Sequence, residues 1–74
     1  MADEPEDDLA VARRHVLEGE ERVARQLVLI KKLDLAGRHE DARAARELLG
    51  TLTEALNAER RHLQIEMEAA QRRR

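Results

Sequence analysis

The chain has 74 residues, a formal net charge of −2 at pH 7, and neither cysteine nor any aromatic residue. It can therefore form one small domain, with no disulfide, no thiolate metal site and no aromatic core. Charged residues make up 41% of the chain and both signs are interspersed, so a basic, polyanion-binding protein is disfavoured. Because the apolar runs are short and the amino terminus is acidic, we expect a cytoplasmic protein without a membrane span or secretory signal.

Residues 1–8 predict an acidic lead-in to the first helix. They contain five acidic residues and Pro5, the only proline of the chain. Proline is tolerated at a helix start, where its missing N–H costs nothing, and acidic side chains favour the positive end of the helix dipole. No later proline interrupts the pattern, so the first helix is predicted over about residues 6–36.

The hairpin, residues 9–74, bends at a turn predicted over residues 37–39. Gly37 suits the left-handed conformation that commonly follows the last residue of a helix. The second helix is predicted over about residues 40–71, with Glu40 and Asp41 in its first turn and the basic residues 72–74 at its negative end.

Apolar residues recur at every seventh position on each side of Gly37. The two ladders are Leu9, Val16, Val23 and Ile30, then Ala42, Leu49, Leu56, Leu63 and Ala70. If the chain folds back at Gly37, residues that face each other across the two ladders have position numbers that sum to 79, as Val16 and Leu63 do. A constant sum is the condition for two antiparallel helices to meet in register. The sequence therefore predicts an all-α fold, an antiparallel two-helix hairpin.

The apolar stripe is wider than the seam that two helices need. We therefore expect a second copy to cover the excess, giving a homodimer in the form of a four-helix bundle. A monomer, a hairpin docked on an unidentified protein partner and an elongated dimer of single helices remain open alternatives. The predicted interface comprises Val16, Leu17, Val23, Leu27, Ile30, Leu48, Leu49, Leu52, Leu56 and Leu63.

Two histidine–glutamate pairs form the strongest candidate for chemistry. His15 and Glu18 are three positions apart on the first helix, as are Glu59 and His62 on the second, and the register would place the pairs at one height. This resembles the ligand pattern of carboxylate-bridged metal bundles. The simpler interpretation is a solvated salt-bridge network, because arginines flank both pairs and compete for the carboxylates; they are Arg13, Arg14, Arg60 and Arg61.

Polar or empty positions interrupt both stripes near that height. They are Gly19 and Gln26 on the first helix, and Glu59 and Arg60 on the second. A glycine inside a helix costs about 1 kcal/mol relative to alanine. We expect either a close approach of the neighbouring helix at Gly19 or room there for the side chain of Glu59 or Arg60, with a small ligand pocket as the lesser alternative.

Nucleic-acid binding and catalysis have little support in the sequence. The first helix has six basic against four acidic residues over positions 9–36, but no aromatic residue is available to stack on bases, so RNA binding ranks third among the functions considered. Thr51 and Thr53 are the only hydroxyl side chains, and there is no glycine-rich loop. We expect no enzyme activity and no cofactor.

Residues 15–26, with the sequence HVLEGEERVARQ, resemble a family of short alpha-proteobacterial helical-hairpin proteins that share the motif H-V-x-E-G-E-x-x-V-A-R-Q. The likeness extends through the hairpin turn to ARELL at residues 45–49 and a late histidine. It implies a helical hairpin and a bacterial source but no activity. The wide apolar stripe and the lack of catalytic residues instead predict a non-enzymatic protein-interaction or regulatory module.

Overall fold

The computed structural model describes residues 7–73, which form two α-helices: α1 over Asp8–Leu35 and α2 over His39–Arg72. The helices pack antiparallel, so the predicted all-α hairpin is confirmed. Most of the acidic lead-in predicted for residues 1–8, including the helix start predicted near Glu6, lies outside the described residues. Neither helix carries, within residues 7–73, an apolar stretch that could cross a membrane.

Helix α1 begins at Asp8 because Asp7 caps it. The Asp7 carboxylate accepts a hydrogen bond from the backbone N–H of Ala10 at 2.7 Å, which satisfies one of the free donors of the first turn. Asp8 then places a second acid near the positive end of the helix dipole, and Lys32 places a cation near the negative end.

The turn closes α1 with a pair of hydrogen bonds centred on Gly37, whose φ is 75°. The N–H of Gly37 donates to the carbonyl of Asp34 at 3.0 Å, and the N–H of Arg38 donates to the carbonyl of Leu33 at 2.9 Å. This is the Schellman arrangement, which requires the left-handed backbone that glycine adopts without strain. Gly37 therefore lies in the turn, whereas His39, also predicted there from the sequence, is the first residue of α2.

The core between the helices is thin and consists largely of small side chains. All nine ladder residues are buried or half-buried, as the seven-residue period predicted. Leu56, at 5% exposed, is more deeply buried than Ile30 or Val16, and the remaining buried apolar residues are the alanines Ala12, Ala42 and Ala45. The molecule measures 55 × 29 × 13 Å, so it is one helix thick and has no second layer among the described residues.

The predicted register describes the open end of the hairpin better than the region near the turn. Val16 and Leu63 line one groove, and Leu9 and Ala70 line another, as the sum of 79 requires. Gln26, by contrast, contacts Ala45 rather than the region of residue 53 that the predicted register would place opposite it. A turn centred on Gly37 relates residues whose numbers sum to 74. Gln26 and Ala45 sum to 71, whereas the long side chain of Arg46 reaches Asp34 at a sum of 80.

Candidate functional site

Side chains of α2 lie against Gly19 of α1, which is buried. A Cβ atom added there would overlap Oε1 of Glu59 and lie 3.0 Å from Cδ1 of Leu56. Glycine at this position therefore leaves room for the Glu59 carboxylate to fold over α1, which is one of the two explanations that the sequence suggested.

The carboxylate of Glu59 is incompletely satisfied in this position. Its Oε1 atom is buried and has no hydrogen-bond partner among residues 7–73. An unpaired buried oxygen costs roughly 1–3 kcal/mol in lost hydration. The contact between Glu59 and Gly19 is thus a local polar defect in the hairpin core.

Among residues 7–73, Gln26 is the one buried polar side chain, and it bridges the two helices. Its Nε2 donates to the main-chain carbonyl of Ala45 at 2.8 Å, and the residue is only 9% exposed. A buried hydrogen bond from a side chain to the opposite backbone contributes about 1 kcal/mol and fixes how the two helices are aligned. Gln26 is therefore a structural bridge, two helical turns closer to the turn than Gly19.

The four interrupting positions accordingly do not form one polar layer. Gly19 and Glu59 meet directly, Gln26 lies at a different level against Ala45, and Arg60 reaches outward to Glu20. The Arg60 Nη2 atom lies 3.3 Å from Glu20 Oε2, and both side chains are about half exposed. The structure therefore places these four positions in two contacts inside the hairpin and one ion pair on its surface.

The structure does not bring together the four residues predicted as metal ligands. Glu18 lies 3.9 Å from both Arg14 and Arg22, while His62 Nε2 lies 3.7 Å from Glu66. His15 is exposed, and Glu59 packs over Gly19. Throughout the described part of the chain, no three histidine, aspartate or glutamate side chains are grouped closely enough to hold a metal ion.

A polar cluster at the turn was not predicted from the sequence. The Asp34 carboxylate forms an ion pair with Arg46 and lies 3.8 Å from His39 Nδ1, so one acidic side chain links the end of α1 to two positions of α2. Asp34 follows Leu33 in the last turn of α1, where the apolar pattern stops. An acid close to the predicted turn, followed by arginines at positions 43 and 46 of the second helix, was the only signal available for it.

The exposed apolar side chains of α1 are the most conspicuous surface feature. Leu17, Leu27, Val28 and Leu35 are 61%, 52%, 55% and 80% exposed. Of the predicted interface residues, Leu17, Leu27 and Leu48 are exposed, whereas Val16, Ile30 and Leu56 are buried inside the hairpin. The others are half-buried: Val23, Leu49, Leu52 and Leu63.

Comparison of the chain with protein-family models, with curated proteins and with solved structures found no match. The resemblance to alpha-proteobacterial hairpin proteins therefore stays a prediction.

Proposed function

We propose that this chain is a non-enzymatic, cytoplasmic interaction or regulatory module that works as a homodimer, with the exposed apolar side chains of α1 forming the contact. The observation that carries the proposal is the exposure of Leu17, Leu27, Val28 and Leu35 on a single helix. Large apolar side chains exposed together on one helix indicate an interaction site, since monomeric proteins rarely leave extended apolar surface uncovered.

The thinness of the hairpin supports the same proposal. Leu56, Ile30 and Val16 are the only leucine, isoleucine and valine side chains in the buried core of the described residues. Small domains gain little from burial relative to the entropy that folding costs, and those without disulfides or metals commonly gain stability by association. Covering α1 with a second copy would add buried leucine and valine side chains without any change inside the hairpin.

Sedimentation equilibrium of the full chain tests the proposal. We expect the wild type to be a dimer at micromolar concentrations and Val28→Glu to be monomeric, because a carboxylate would have to be buried in the contact. Ile65→Glu is the matched control, since Ile65 is equally exposed, at 56%, but lies on α2. A wild type that sediments as a monomer, or equal weakening by both substitutions, would contradict the proposal.

A further inference from the structure

An apolar stripe runs along the side of α1 that faces away from α2. We call Leu17, Ala24, Val28 and Leu35 the outer stripe; all four are exposed. Their steps of seven, four and seven residues keep them on one line of the helix, roughly 145° around the axis from the buried residues. This is the a/d spacing of a coiled-coil seam, and α2 leaves it uncovered.

A shallow groove of about 390 Å³ lies along one flank of the outer stripe. Ala24 and Val28 form its edge, and Leu29 and the stems of Arg25 and Lys32 line the rest. These last three residues lie roughly 60–120° around the helix axis from the outer stripe. The small side chain of Ala24 thus leaves room beside the seam for an aliphatic side chain from a facing helix.

The outer stripe is complementary to itself in the antiparallel direction. Leu17 and Leu35 have position numbers that sum to 52, and so do Ala24 and Val28. If two copies of α1 lie antiparallel about a twofold axis near residue 26, Leu17 of each copy meets Leu35 of the other. Each Ala24 likewise meets Val28 of the other copy. Pairing of a with d positions is the arrangement that antiparallel helices require.

Two charged residues that lie between members of the outer stripe also have position numbers that sum to 52. Glu21 and Lys31 also sum to 52, so each Glu21 would face Lys31 of the second copy, twice per dimer. Among the described residues, neither side chain takes part in an ion pair within the hairpin. Opposite charges facing each other across a twofold axis select both the partner and the direction of the helices.

We propose that the outer stripe pairs with the outer stripe of a second copy, antiparallel and in the register that sums to 52. The inference rests on the proposed homodimeric function and specifies its geometry. The helices then lie in the order α2, α1, α1, α2 as one curved layer. This differs from a compact four-helix bundle, because the outer stripe is nearly opposite to the face that binds α2.

The flanking residues near the twofold axis give one favourable and one unfavourable contact. Leu27 lies one position from the centre and meets its own copy, which covers a leucine that is half exposed in the hairpin. Arg25 faces its own copy on the other flank. Because Arg25 is exposed, solvent and salt screen that repulsion, so it does not outweigh the apolar pairs.

Disulfide trapping tests the register directly, since the chain contains no cysteine of its own. Leu17→Cys and Leu35→Cys proteins are prepared separately, then oxidised alone and as an equal mixture. Cysteines must approach to within about 7 Å between Cα atoms to be bridged. In the proposed register, only the mixture crosslinks, because identical positions in the two copies lie about 27 Å apart along the axis.

A charge exchange gives an independent measurement. Glu21→Lys and Lys31→Glu should each weaken self-association by about tenfold, since each creates two like-charge pairs. An equal mixture of the two variants should recover wild-type association as a heterodimer, because both pairs are then opposite in charge. The double variant, with the charges exchanged in one chain, should recover it as a homodimer.

The outcomes separate this inference from the proposed function. A wild type that sediments as a dimer but crosslinks only within the single-cysteine samples, or in no sample, overturns the register and leaves homodimerisation standing. Association that is unchanged by either charge substitution also overturns the register. A wild type that is monomeric at micromolar concentrations overturns both proposals.

Discussion

At the scale of single residues, the contact between Gly19 and Glu59 gives the most specific energetic prediction. Gly50 is a second glycine inside a helix, but an added Cβ there would meet no atom within 4 Å. Gly50→Ala should therefore raise the free energy of unfolding by about 1 kcal/mol, the gain in helix propensity. Gly19→Ala should gain much less, because the new methyl group must displace the Glu59 carboxylate and press on Leu56.

Removing the carboxylate should restore part of the missing gain. In a Glu59→Ala background, we expect Gly19→Ala to be more favourable than in the wild type, because the carboxylate is gone and only the side chain of Leu56, 3.0 Å from the new Cβ, must shift. Urea denaturation of the four proteins of this cycle, at one fixed protein concentration, measures the coupling. An effect of Gly19→Ala that is the same in both backgrounds would contradict the contact.

At the scale of structural elements, the turn depends on the backbone of Gly37. An added Cβ at Gly37 meets nothing within 4 Å, as at Gly50, so the two positions differ only in backbone conformation. With φ at 75°, Gly37→Ala should lower the free energy of unfolding by about 1–2 kcal/mol. Gly37→Asn should cost less, since asparagine tolerates the left-handed region. Thermal denaturation of these variants beside Gly50→Ala makes the comparison, and a stabilising Gly37→Ala would refute it.

The elements themselves could be predicted because their causes are local. The seven-residue period places Leu56 and Ile30 inside, and the position of Gly37 after a long apolar pattern marks the turn. The bridge from Gln26 to Ala45 could not be predicted, since it depends on how the turn offsets one helix along the other. Periodicity gives the direction of a side chain but not the residue that it reaches.

The candidate site, too, could be predicted only in part from the sequence. The sequence identified Gly19 and Glu59 as unusual, and the structure shows them in contact. It also grouped His15, Glu18 and His62 with Glu59 as possible ligands, but the simpler interpretation was a salt-bridge network, and Glu18 does lie 3.9 Å from two arginines. The approach of His62 to Glu66 was not predicted. Competition between neighbours on a helix surface is decided by side-chain conformation, which the sequence does not specify.

At the scale of the whole molecule, dimerisation and folding should be thermodynamically linked. Unfolding enthalpies of about 0.7 kcal/mol per residue give about 100 kcal/mol for two chains, so Tm should rise by about 5 °C for each tenfold increase in protein concentration.

Leu35→Lys should remove this dependence of Tm on protein concentration. Leu35 is 80% exposed in the hairpin and lies in the last turn of α1, where a cation is favourable, so the substitution leaves the hairpin intact while placing a charge in the contact between copies. Calorimetry at several concentrations of both proteins measures the two slopes. Because every contact within the hairpin is independent of concentration, a Tm of the wild type that does not change with concentration would show that the outer face of α1 contributes nothing to folding.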